Sequence, residues 1–293
     1  MKNDTVIGLV QHACDGTRAE NLDDSIDGIR EAAARDADLV LLPELHLGPY
    51  FCQTEDNACF DLAEPIPGPT TEALAEIAAE LEIVIIGSLF EKRAAGLYHN
   101  TAVVLERNGS LAGRYRKMHI PDDPGYYEKY YFTPGDIGFK PIETSVGKLG
   151  VLVCWDQWFP EAARLMTLSG ADLLIYPTAI GWNPDDEQDE KDRQLEAWIT
   201  IQRSHAIANG LPVISCNRIG FESGPAENGI EFWGNSFMAG PQGEILAHTN
   251  ASERIVLTSR IDKKKCETTR QIWPYLRDRR IDEYSGLLKR FID

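Results

Sequence analysis

The chain has 293 residues and a formal net charge of -17, from 29 basic and 46 acidic residues. That balance argues against a nucleic-acid partner, which needs a basic footprint to displace counterions from phosphates, and against an anionic membrane surface. Hydrophobic residues make up 43% of the chain, enough to bury a core without disulfide or metal staples.

Short apolar runs alternate with helical patterns. Residues 6–10 read as a strand, and the next segment places Leu22, Ile26, Ile29 and Ala33 on one helical face. Residues 39–42 form a buried strand that runs into Pro43-Glu44. Leu74, Ile77, Ala78 and Leu81 again keep helical spacing, and 83–89 is a strand that Gly87 bends or thins. Residues 101–106 and 111–116 flank Asn108-Gly109 and predict a hairpin, with Asn-Gly supplying positive φ. Lys117 stands where its second strand ends.

Residues 121–138 show no clear period but carry five tyrosines and phenylalanines, which argues for an ordered, functional loop. Residues 150–154 form a buried strand, followed by a helix from about Phe159 with Pro160 near its first position and Gly170 just past its end. Residues 173–176 are the next strand. Leu195, Trp198, Ile199, Gln202 and Ala206 line a helix face that Gly210 and Pro212 stop. Strands at 213–216, 235–239 and 255–260 complete the pattern, with a turn at 241–244. No repeat or low-complexity linker divides the chain. The reading is one α/β domain over 1–293, two sheets sandwiched between helix layers. Residues 262–293 turn basic and predict a C-terminal extension packed on its own or a neighbouring subunit; a solvated terminus fits the charge equally well.

The six cysteines form no CxxC pair and the six histidines no HExxH, so no metal site is expected. The amino terminus lacks the apolar core of a signal peptide, and the apolar runs are too short to span a bilayer. A reducing cytoplasm with free thiols is the expected setting.

Three strand ends carry chemistry. Cys154, in Gly150-Val151-Leu152-Val153-Cys154-Trp155-Asp156, stands between a buried strand and a helix, the context of a nucleophile elbow. A helix start and a nearby lysine would favour its thiolate, although a free cysteine is as readily a small structural hydrophobe. Glu44 follows four apolar residues, and a carboxylate there is either used as a general base or held in an ion pair at the sheet rim. Lys117 is suited to stabilise an oxyanion at a reacting carbonyl, against the plain reading of a surface lysine.

Taken together these segments resemble the nitrilase (carbon–nitrogen hydrolase) superfamily. The likeness is carried by LVLLPEL around Glu44, GRYRKMHIP around Lys117, GVLVCWDQWFPEAAR around Cys154, and YYEKYYFTPGD, where Glu128 matches a second glutamate of the family. It extends from Val6 to the carboxyl-terminal RQIWPYLRDRRIDEYSGLL. The resemblance implies an αββα four-layer sandwich, a Glu44–Lys117–Cys154 triad supported by Glu128, homo-oligomers with helix–helix contacts, and no metal or organic cofactor. The finer likeness, in HIPDDPGYYEKYYFTPGDIGFK and CWDQWFPEAARLMTLSGADLLIYPTAIGW, is to members that act on a small cationic ureido substrate.

An ammonium on the substrate calls for aromatic faces or a carboxylate in the pocket. Tyr50, Tyr130, Trp155 and Trp182 are candidates for the walls, and Asp122, Asp123 and Glu187 for the charge partner. The acids at 185–190 are equally read as a solvated loop before a helix start. Two other functions stay open. One is a hydrolase of N-carbamoyl amino acids or β-ureidopropionate, with Arg218 or His205 clamping a carboxylate. The other is a binding protein on the same fold without chemistry. His119 and His205 lack the local signature of a Cys–His protease.

Overall fold

The computed structural model describes residues 4–224 and 229–292. The first half comprises β1 (Asp4–Gln11), α1 (Arg18–Ala34), β2 (Leu39–Leu41), α2 (Pro69–Leu81), β3 (Val84–Ala94), β4 (Leu97–Leu105) and β5 (Leu111–Arg116). The second half comprises α3 (Glu128–Tyr131), β6 (Ile142–Thr144), β7 (Gly147–Val151), α4 (Pro160–Leu168), β8 (Leu173–Thr178), β9 (Gly181–Trp182) and α5 (Gln188–Asn209). It continues through β10 (Val213–Asn217), β11 (Ile219–Ser223), β12 (Gly229–Trp233), β13 (Phe237–Ala239), β14 (Ile245–His248), β15 (Ile255–Asp262) and α6 (Lys263–Ile272).

Two six-stranded sheets result, ordered β15-β1-β2-β3-β4-β5 and β14-β13-β10-β8-β7-β6. Their inner faces meet through Ile7, Leu9, Leu39 and Leu41 on one side and Val151, Ile175, Ile214 and Phe237 on the other. The outer face of the first sheet, with Val10, Val40 and Leu42, packs on Ile29 and Ala32 of α1 and Leu74, Ile77 and Ala78 of α2. Residues 39–42 are continuously apolar because both faces of that strand are covered, as parallel pairing with β1 and β3 requires. Met166 of α4 and Trp198 and Ala206 of α5 cover the second sheet. The fold is therefore the αββα sandwich.

Local sequence explains most element ends. Thr17 accepts from the Glu20 N–H while the Glu20 carboxylate accepts from the Thr17 N–H, a reciprocal cap that starts α1. Gly109 takes φ +79° in the predicted hairpin turn. Gly87 permits a close approach: a Cβ there would lie 2.8 Å from Leu74 Cδ1 of α2.

Two expectations need correction. The strand expected at 150–154 pairs only to Val151, because the chain turns into a 3-10 turn at Cys154–Trp158. A third sheet, β11-β12-β9, was not foreseen: its strands are short, and β9 has two residues, too few to show a period.

Where β1 leaves its sheet, the Ser25 hydroxyl bonds His12 Nε2 at 3.2 Å and His46 Nδ1 at 2.9 Å. Burial lowers His12 from 6.5 to about 4 and His46 well below its ordinary value. Between those two pH values the unfolded chain takes up a proton that folded His12 refuses. Its contribution is thus complete above pH 6.5 and falls away on acidification, by about 3 kcal/mol at pH 4. Urea unfolding across this window should show that slope in the parent and a shallower one in His12→Gln. Equal slopes would sink the assignment.

Candidate active site

Glu44, Lys117 and Cys154 lie just past β2, β5 and β7, and the sandwich brings these three ends together. Lys117 Nζ donates to Glu44 Oε1 at 2.8 Å and to Glu128 Oε2 at 2.7 Å and Oε1 at 2.9 Å. None of the three side chains reaches solvent. Burial opposes the charge on Lys117, but the Glu128 and Glu44 carboxylates outweigh it and hold the ammonium well above its ordinary value. Burial raises Glu128 against the pull of Lys117. Tyr50 OH donates to Glu128 Oε1 at 2.6 Å and fixes its orientation.

The Glu44 carboxylate is aimed by two further donors. Its Oε1 accepts from Asn100 Nδ2 at 2.6 Å and its Oε2 from the Ala179 N–H at 2.9 Å. Asn100 is itself held by the Ser88 hydroxyl at 3.1 Å. Arg218, fully buried, pins the turn after Glu44 from behind. Its Nη2 donates to the carbonyls of Glu44 at 2.7 Å and Leu45 at 2.8 Å, and its Nη1 bonds Glu222 Oε1 at 2.8 Å.

Cys154 adopts φ +43°, a left-handed conformation that a side chain enters at a cost of about 1–2 kcal/mol. Asp156 holds the turn that imposes it. Its carboxylate accepts from Val153 N and Tyr115 OH, both at 2.9 Å, and from His119 N at 3.0 Å and Nδ1 at 2.6 Å. One buried carboxylate therefore ties the segment carrying Lys117 to the elbow carrying Cys154. The sulfur faces the Ala179 carbonyl at 3.7 Å. The expected thiolate is corrected: burial first, then the negative charge of Glu44, pushes the Cys154 thiol well above its ordinary value. A thiol raised in this way would need a base to act as a nucleophile, and the Glu44 carboxylate is among the charges that act on it.

The other predicted residues separate. Tyr50 is buried and serves Glu128. Trp155, next to the nucleophile, is half-buried and packs edge-on to Trp158. Trp182 is half-buried beside Trp233, with its Nε1 donating to the Lys191 carbonyl at 2.9 Å. Tyr130 points outward, bonding Asn57 Oδ1 at 2.9 Å and packing on Phe60, so it is no wall of this cluster. Asp122 and Asp123 are exposed, and Glu187 is exposed at the N-cap position of α5. His205 bonds the Gln157 carbonyl at 2.7 Å inside the core, and His119 stacks on Phe159 with its ring centroid at 3.7 Å.

Three residues of the site were not foreseen from sequence: Asn100, Asp156 and Tyr126. Asn100 had a signal, an amide inside the apolar run of β4. Among the described residues no group of three His, Cys, Asp or Glu side chains is placed to hold a metal ion, and no helix is long and apolar enough to cross a membrane.

Two sheets between helices, with a carboxylate, an ammonium and a thiol converging at three strand ends, define an α/β enzyme suited to acyl transfer through sulfur. The carbon–nitrogen hydrolase family model matches residues 6–271, and the chain belongs to that family: it is a hydrolase of carbon–nitrogen bonds. An N-carbamoylputrescine amidase of Oryza sativa is 45% identical over 96% of this chain and 94% of its own. A citrullinase of Francisella tularensis is 38% identical over 97% of this chain and 98% of its own. The crystal structure of a carbon–nitrogen hydrolase from Helicobacter pylori superposes with a TM-score of 0.96 at 52% identity, covering 99% of this chain and all of that one.

Proposed function

We propose that the protein hydrolyses N-carbamoylputrescine to putrescine, carbon dioxide and ammonia, with Cys154 as nucleophile, Glu44 as proton carrier and Lys117 as oxyanion partner. Glu44 takes the Cys154 proton as the sulfur attacks the ureido carbon. Lys117 Nζ and the Trp155 backbone N–H receive the developing oxyanion. Glu44 returns the proton to the terminal nitrogen, and the C–N bond breaks to release ammonia. A carbamoyl group remains on sulfur through a thioester-like bond. Glu44 then deprotonates a water that attacks the same carbon, the thiol leaves with that proton, and the freed carbamate loses carbon dioxide to give the amine. Glu128 orients Lys117 throughout.

The observation that carries the substrate reading is the engagement of Arg218. A substrate ending in a carboxylate needs a free guanidinium or imidazole. Both terminal nitrogens of Arg218 are engaged by Glu222 and by the Glu44 turn, and His205 by the core. The amidases 42–45% identical to this chain support the same reading. Citrulline is the second candidate, because it carries the same ureido group on a tail with both charges and the citrullinase likeness spans nearly the whole chain. Ammonia release from N-carbamoylputrescine, citrulline and N-carbamoyl-β-alanine decides. We expect kcat/KM at least about tenfold higher for the first, and a preference for either acid would overturn the assignment.

A cytoplasmic homo-oligomer is part of this reading. Leu165 and Leu168 of α4, Ile207 of α5, and Leu288 and Phe291 of the tail all stand exposed, an apolar collection that a second copy would cover. This supports the tail at 262–293 as an interface element. Sedimentation of the full chain as a monomer would refute it.

A further inference from the structure

The reactive cluster is closed. Glu44, Lys117 and Glu128 have no exposed surface, and Cys154 retains 4%. Tyr126, on the aromatic loop, bonds the segment beside it. Its hydroxyl donates to the Gly181 carbonyl at 3.3 Å and accepts from the Gly181 N–H at 3.1 Å. Gly181 lies two residues past Ala179, which touches both Glu44 and Cys154. The Tyr126 ring lies 5.5 Å from that of Tyr50, whose hydroxyl holds Glu128. Burial, with the charges of Cys154, Glu128 and Glu44, raises the Tyr126 phenol.

Tyr126 also lines a cavity of about 290 Å³, together with Gln53, Tyr127, Trp182, Asn183 and Ile230. Tyr126 lines that cavity while Glu44, Lys117, Glu128 and Cys154 do not, and its hydroxyl holds Gly181, two residues past the Ala179 that touches Glu44 and Cys154. Among the described residues, none of the side chains that line it carries a formal charge. Its aromatic faces and amide oxygens suit an alkyl chain ending in an ammonium, and a carboxylate would find no cation among the lining residues. Trp182 already accepts a cation on its ring: Lys191 Nζ lies 5.9 Å from the centroid, balanced by Glu231 at 3.2 Å.

We propose that this cavity is the subsite for the aminoalkyl tail of the substrate, and that Tyr126 is the partition between tail and ureido group and thereby a specificity-determining residue. The proposal rests on the cationic ureido reading above. Entry to Cys154 requires the phenol to leave Gly181. The backbone before it has a pivot in Gly125, at φ +82°, inside the turn closed by Tyr126 N donating to the Asp123 carbonyl at 2.8 Å.

Two measurements test the two parts. First, the rate of iodoacetamide alkylation at Cys154, followed by peptide mass mapping without substrate, is compared between parent and Tyr126→Phe, a variant that keeps the ring and loses both latch bonds. A rise of roughly tenfold is expected; an unchanged rate overturns the partition. Second, Trp182→Leu is assayed on N-carbamoylputrescine and on butylurea, which has the same chain without the ammonium. KM should rise about tenfold for the cation and less than about twofold for the neutral compound. Equal effects on both overturn the subsite. Faster alkylation in Tyr126→Phe beside a parent inactive on N-carbamoylputrescine would keep the partition and sink the substrate reading alone.

Discussion

Cys154→Ala should lose at least about 10⁴-fold in turnover while still folding and binding substrate. Removing the sulfur removes the covalent route, and Glu44 and Lys117 have no second nucleophile within reach. Cys52, the other buried thiol near the cluster, is likewise raised well above its ordinary value by burial and by the Glu128 charge. The backbone adds a second, opposite signature. Because position 154 sits at φ +43°, Cys154→Gly should be as inactive as Cys154→Ala yet about 1 kcal/mol more stable, since glycine enters that conformation freely. Turnover and urea unfolding of the two variants check both statements. Residual activity of Cys154→Ala within tenfold of the parent would remove the sulfur from the mechanism.

The second large effect is expected at Lys117. In Lys117→Met the methylene stem is kept and the ammonium lost. Glu44 and Glu128 would then face each other across a dry cavity with no cation between them. Removing one partner from a buried charged set costs about 3–5 kcal/mol. Turnover should fall by about 10³-fold or more, because a preorganised oxyanion donor is lost at the same time. The two losses are separable by pH. With the cation gone, at least one of the two carboxylates takes up a proton on folding, so its folded pKa lies above its unfolded one. A group raised in this way stabilises most at low pH, so the stability deficit of Lys117→Met should shrink as pH falls from 7 toward 5 while activity stays lost. A deficit independent of pH would mean that the three groups are not coupled. Glu128→Gln tests the same network more gently: its one amide oxygen can still accept from Lys117 and Tyr50, while the charge and the second Lys117 bond are lost.

Much of this site was legible before any coordinates. A carboxylate, a lysine and a cysteine each placed at the end of an apolar strand are conspicuous, because a buried strand end is costly for a charge that has no task or partner. The same reasoning reached Glu128 only through the family likeness, since the loop around it has no period to read. Asp156 lies two residues from the nucleophile, yet a sequence does not reveal that its carboxylate gathers donors from Val153, Tyr115 and His119. Asn100 is visible as a misplaced amide, but its partner is 56 residues away across two strands.

The aromatic loop shows the limit most clearly. Tyr126 and Tyr130 are one helical turn apart in similar surroundings. The first bonds Gly181, two residues past the Ala179 that touches Cys154, and the second bonds Asn57 at the surface. Composition and motif could not separate them, because the path of an irregular loop is set by what it packs against. Here that is the cluster of Phe51, Phe90, Tyr131 and Phe132. The electrostatics divide in the same way. Residue types alone suggested a cysteine activated by lysine. Only burial, together with a carboxylate near the sulfur, showed that the thiol is pushed well above its ordinary value, which favours its protonated form. The sequence by itself determined an α/β domain, the strand ends and the residue types of the cluster, because hydrophobic periodicity and buried polar residues are local signals, and the family resemblance implied the αββα class. The tertiary structure decided orientation, protonation and enclosure, because these depend on contacts between segments far apart in the chain.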